Sequence, residues 1–192
     1  MGNITQNFSF YEFRPHDKSK SWLPDNDYQE FLLRILATNL QVVRDKIPDG
    51  SYMKITSGVR TPSDYDRLIL SGYRPSSTSD HYCGTAINIL DYRKRKKFGS
   101  TYNFSVGAAD VQPVGITARQ LFNLSFRLVK EQMCDFGQVI YEKNPSTGAE
   151  WVHYGNSLKK LFSEKIISMI GRIQFMQSID GGLTYTQVLS TI

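Results

Sequence analysis

Apolar residues recur at helical spacing over residues 27–47, where Phe31, Leu32, Ile35, Leu36, Leu40 and Val43 share one side. Asp27 suits an N-cap and Pro48 a stop. A second helix is predicted over 117–134, opened by a Thr117/Gln120 capping box, with Leu121, Leu124, Leu128 and Val129 on one face. A third spans 157–170, ended by Gly171. Short strands are expected at 53–56, 86–92, 138–142 and 151–154, the last two joined by a turn over 144–148. Residues 172–177 and 183–188 read as a β-hairpin around Asp180-Gly181-Gly182. The opening, 7–13, alternates aromatic and polar residues and is predicted to lie extended as a lid on the core. Residues 67–80 read as a loop, and a polar excursion runs from Arg93 to about Gly115. No repeat or linker divides the chain, so the pattern describes one α+β domain over 1–192.

Composition narrows the class. At 192 residues the chain can bury a proper core. Its 40% hydrophobic and 21% charged content is that of a soluble globular protein. No window approaches the roughly 18 apolar residues of a membrane span, so no membrane partner is expected. Residues 1–13 lack the basic and apolar regions of a secretory signal. The net charge of +5 and pI near 9.1 favour acidic surroundings. The basic run at 93–97 reads as a solvated loop, or as a clamp on an anionic polymer or acidic neighbour. No aromatic-interleaved basic face accompanies it, which argues against nucleic acid as a partner. Cys83 and Cys134 form no disulfide framework, and Cys83 reads as a small apolar residue behind a loop.

The candidate chemistry lies in three short stretches. Residues 79–88 read S-x-H-x-x-G-x-A-x-N, with Ser79, His81 and Asn88 at the marked positions. Ser57-Gly58-Val59-Arg60 precedes them, and Glu150-Trp151-Val152-His153 follows. The chain has three histidines, and His16 sits outside any motif as a surface residue. Taken singly, each stretch reads as an ordinary loop, turn or edge strand. Their joint occurrence in this order resembles the M15 peptidases, the D-alanyl-D-alanine carboxypeptidases and related phage peptidoglycan endopeptidases. The likeness covers roughly residues 8–155 and leaves 156–192 as a C-terminal extension of a helix plus a β-hairpin.

The resemblance implies a small central antiparallel sheet flanked by helices and a zinc site. His81, Asn88 and His153 would surround the metal, with Asn88 where the family carries Asp. Arg60 would hold the developing oxyanion, Glu150 would act as general base, and Ser79 would hydrogen-bond substrate. Strand alternation would put Glu150 off the His153 face unless the strand begins between them. An amide contributes only a dipole where a carboxylate contributes a full charge, so zinc would bind weakly or not at all and Asn88→Asp would strengthen it. Asp91 would face away from that site, and Glu142 has no spacing that recommends it. The implied function is a phage-encoded peptidase domain with weak or no hydrolysis of peptidoglycan stem peptides, of D,D-carboxypeptidase or L,D-endopeptidase type. The alternative is a virion or assembly protein that kept the fold without metal, its partners being other phage structural proteins. Without a signal peptide, the protein would be made in the cytoplasm and carried in the virion or released to the wall at lysis.

Overall fold

The computed structural model describes residues 3–73, 75, 79–83, 106–156, 174–181 and 183–188. Its helices are α1 (Phe10–Phe13), α2 (Asp27–Arg44), α3 (Pro62–Leu70) and α4 (Ala118–Lys130). Its strands are β1 (Tyr52–Ser57), β2 (Ala108–Val114), β3 (Phe136–Lys143), β4 (Glu150–Asn156), β5 (Gln174–Ser178) and β6 (Thr186–Gln187). The expected strand at 86–92, the basic run at 93–97 and the expected helix at 157–170 lie outside the described residues. Among the described residues, no helix is long and apolar enough to cross a membrane.

The strands form one six-stranded sheet in the order β1-β2-β4-β3-β5-β6. The sheet is mixed rather than antiparallel, because β5 runs parallel to β3 while the other pairs are antiparallel. The chain leaves β4 and re-enters the sheet on the far side of β3, which gives β5 the direction of β3. Strand β2 lies inside the stretch read from sequence as a polar excursion. Its run Ala108-Ala109-Asp110-Val111-Gln112-Pro113 lacks the β-branched density of an obvious strand, yet it is held between β1 and β4.

Local chemistry sets the helix ends. Asn26 Oδ1 accepts from the Gln29 amide at 2.9 Å, so the cap of α2 falls one residue before Asp27 and leaves that carboxylate in the first turn. Thr61 and Asp64 make a reciprocal capping box around Pro62, which starts α3 and carries it through Leu70, into the expected loop. Ser9 and Glu12 do the same for α1, so the aromatic opening turns as a short helix instead of lying extended. Phe8, Phe10 and Phe13 are nonetheless buried.

The sheet has two unlike faces. Val152 and Tyr154 of β4 are buried with Ala109 and Val111 of β2 in the same apolar core as Leu36 and Leu40 of α2 and Leu121 and Leu128 of α4. Tyr154 Oη lies 2.7 Å from Ser125 Oγ of α4, and Asn156 Nδ2 donates to the Leu32 carbonyl of α2 at 2.9 Å. Alternation therefore sends Trp151 and His153 to the other face, with Asp110 directly across from His153. That second face is the floor of a cleft.

The segment Ser57–Arg60 borders the cleft and is pinned at Gly58. A Cβ there would sit 2.6 Å from Phe13 Cα and 2.7 Å from its carbonyl carbon. These are backbone atoms that cannot rotate away, and the Val59 amide bonds the Phe13 carbonyl at 2.8 Å beside them. Gly58→Ala is therefore expected to cost about 1–3 kcal/mol. Denaturant titration would read it as a lower midpoint at unchanged slope.

Candidate metal centre

Three side chains converge on the cleft floor. His81 comes from a short 3₁₀ turn, Asp80–Tyr82, capped by Ser79, whose Oγ accepts from the His81 amide at 3.3 Å. Asp110 and His153 face each other on β2 and β4. His81 Nε2 lies 3.2 Å from both Asp110 Oδ1 and His153 Nδ1, and those two atoms are 2.9 Å apart. All three residues are buried, and they form a group that could hold a metal ion.

The donors suit a metal better than they suit one another. The Gly58 carbonyl can only accept, so His81 Nδ1 donates to it across 2.7 Å and leaves Nε2 with a lone pair. Nε2 thus meets the lone pairs of Asp110 Oδ1, with at most one proton on His153 Nδ1 to share among the three atoms. A cation at their centre would satisfy all three. Tetrahedral zinc bonds of about 2.0–2.1 Å need donors about 3.3–3.4 Å apart, slightly wider than the spacings observed. The supporting contacts also match a metal site. Arg60 Nη2 takes the other carboxylate oxygen, Asp110 Oδ2, at 2.8 Å, turning Oδ1 inward.

The electrostatics prepare His81 and Asp110 for a cation and leave a proton to be displaced from His153. Burial, helped by the Arg60 charge, lowers the His81 pKa to about 4 against the opposing pull of Asp110. Burial alone would raise Asp110, but His81, His153 and Arg60 outweigh it and hold the carboxyl well below its usual range. Burial also pulls His153 down, and there the hydrogen bond and charge of Asp110, with Glu142 and Asp80, prevail and leave it raised.

Of the residues singled out from sequence, His81, His153 and Arg60 meet here, and Ser79 caps the turn that presents His81. Asn88 lies outside the described residues. The carboxylate beside the two histidines belongs to Asp110, which the sequence reading passed over, 29 positions from His81. One signal pointed to it. The Ala-x-Asn ending at 86–88 recurs as Ala-x-Asp in Ala108-Ala109-Asp110, with the acid that the motif calls for.

Glu150 is placed apart from the cluster. Strand β4 begins at Glu150 and pairs with β3 in regular register from there to Gly155, so alternation carries the Glu150 side chain to the face opposite His153. There it lies 3.1 Å from Lys143 Nζ, and hydrogen bonds from Lys143 and Tyr141 lower its pKa. The cleft acid is instead Glu142 of β3, directly across from Trp151. Trp151 Nε1 donates to Glu142 Oε2 and Tyr185 Oη to Glu142 Oε1, the latter at 3.0 Å. Burial, then the Asp110 charge, raises the Glu142 pKa.

A cavity of about 330 Å³ lies over the cluster, with Tyr73, Glu142, Trp151 and Tyr185 in its walls. A second, of about 530 Å³, shares Arg60, Asp110 and Trp151 with it and extends past Thr56 and Gln112. Compared with protein-family models, curated proteins and solved structures, the chain matches none.

Two predictions follow from this geometry, both read by calorimetric zinc titration. Asp110→Asn should weaken binding more than about 100-fold, beyond the usual loss of a supporting partner. Affinity should also fall with pH. Below the raised pKa of His153 each ion must expel one proton, giving a loss of about tenfold per pH unit that begins above 6.5. A second proton, on His81, adds to the slope near pH 4.

Proposed function

We propose that the chain is a zinc peptidase of the M15 type that hydrolyses peptidoglycan stem peptides. The observation that carries this is the convergence of His81, Asp110 and His153 beside a buried, tethered glutamate in an open cleft. Those four positions would supply the ligand set and the base that the resemblance implies, Asp110 and Glu142 taking the roles given above to Asn88 and Glu150. The ground for a metal-free scaffold was the amide at Asn88. With the carboxylate at Asp110, that ground falls away.

Zinc held by the three ligands would supply Lewis acidity to the attacking water and the scissile carbonyl. Glu142 is suited to take the water proton as the new C–O bond forms, and to pass it to the departing amine as the C–N bond breaks. Its raised pKa makes it a stronger base than an exposed carboxylate while leaving it able to ionise. Arg60 keeps Asp110 charged and adds positive potential where the carbonyl oxygen gains charge. A second cavity adjoins the one over the cluster and shares Arg60, Asp110 and Trp151 with it, which gives substrate more room than the first cavity alone.

Glu142→Gln should reduce cleavage of muropeptides by about 10²–10⁴-fold with zinc still bound. Glu150→Gln should cost less than about tenfold, since Glu150 borders only the second cavity and its carboxylate pairs with Lys143 instead of reaching the cluster. Mass spectrometry of digested sacculi, with zinc content measured in parallel, checks both. Loss of activity in Glu150→Gln alone would reverse the assignment of the base.

A further inference from the structure

The wall of the cleft opposite α3 contains Tyr185, which comes from the C-terminal segment, beyond the stretch that carries the family likeness. The chain fixes this residue from both sides. Before it, the Asp180 carboxylate accepts from the amides of Leu183 and Thr184, each at 3.0 Å, from Ser178 Oγ at 2.8 Å and from Thr184 Oγ1. This closes a tight turn of the Asx kind. Gly181, at φ +74°, ties the turn to the end of β3 through its amide and the Lys143 carbonyl, 3.0 Å apart. After it, β6 pairs with β5, and the Val188 amide bonds the Phe175 carbonyl at 2.8 Å.

Held between these anchors, the Tyr185 hydroxyl reaches Glu142 Oε1 at 3.0 Å. Trp151 takes the other oxygen. A carboxylate with one donor on each oxygen cannot rotate about its terminal torsion without breaking a bond, so its free lone pairs keep one direction. Burial and the neighbouring carboxylates raise the Tyr185 pKa, so the phenol remains a donor at neutral pH.

We propose that Tyr185 is a positioning residue: the C-terminal hairpin delivers its hydroxyl to Glu142 and aims the catalytic carboxylate at the reacting water. This rests on the peptidase function proposed above. It assigns the hairpin a part in turnover as well as in closing the sheet. A positioning contact of this kind acts on the chemical step and leaves substrate and metal affinity alone.

The test is Tyr185→Phe in the full-length, zinc-loaded protein, with the stem peptide that the unmodified protein cleaves as substrate. The expected result is a kcat lower by about 10–100-fold with KM within about twofold. Zinc affinity, and the visible spectrum of the cobalt-substituted protein, should be unchanged. The melting temperature should stay within about 2 °C, because the ring remains in place. A kcat loss in Tyr185→Phe that comes with a melting temperature lower by more than about 5 °C, or with an altered cobalt spectrum, would make the effect one of hairpin or site stability and overturn the proposal. An unchanged kcat in Tyr185→Phe, beside an active unmodified protein, overturns this inference alone. An unmodified protein that takes up no zinc and cleaves nothing overturns the peptidase function, and the inference with it.

Discussion

The Asp110 carboxylate joins four parts of the chain at one point. Its Oδ1 faces His81 and His153, its Oδ2 receives Arg60, and its backbone lies in β2 between β1 and β4. A buried carboxylate is tolerable only when its charge is answered. Here one permanent cation and two imidazoles answer it, and each is delivered by a different element. Arg60 follows β1, His81 lies in the 3₁₀ turn Asp80–Tyr82, and His153 stands on β4. The Arg60 amide also bonds the His81 carbonyl at 2.9 Å, and the Gly107 amide bonds the Asp80 carbonyl at 3.1 Å. The backbone thus holds the charged groups together by its own hydrogen bonds.

The same neighbourhood shows how closely fold and site share residues. Gly58 has no side chain because Phe13 needs the space, and the carbonyl of Gly58 is what sets the His81 tautomer. Phe13 in turn is fully buried at the end of α1, the short helix formed from the aromatic opening of the chain. An N-terminal packing contact therefore reaches His81 Nε2, the nitrogen that faces Asp110 and His153, through a single residue. The outer hydrogen bond of a metal-binding histidine controls which nitrogen is free to bind, so such contacts matter as much as the ligands do.

What could be read from sequence divides along physical lines. The helices α2 and α4 were legible because their apolar spacing and caps are local, as were β3, β4 and the turn between them. His81 and His153 were legible because each sits in a short motif whose order along the chain carries information. Asp110 was missed because its partner is 29 positions away, and its strand is too poor in β-branched residues to stand out. The motif spacing points instead to Asn88, seven positions after His81. Glu142 was missed for a different reason. Its place opposite Trp151 is set by the register of the β3–β4 pair, which spacing along one strand does not encode. Alternation did argue against Glu150, and once β4 is seen to begin at that residue, the rule applies without exception.

Glu142 and Glu150 then illustrate how one sheet makes two environments from the same side chain. They lie one cross-strand step apart, since Glu142 pairs with Trp151 and Glu150 with Lys143. At the exposed end of the helix-packed face, Lys143 and Tyr141 lower the Glu150 pKa and solvent screens what remains. On the cleft face, burial and Asp110 raise that of Glu142, while Trp151 and Tyr185 supply enough donors to keep it ionisable. Tyr185 reaches it only because β5 is parallel to β3: the turn after Ser178 then emerges beside Glu142, the residue that Ser178 pairs with. An antiparallel β5 would have placed that turn at the other end of the strand, beside Gln138. The one feature that makes the sheet mixed is therefore also what brings the C-terminal tyrosine to the cleft.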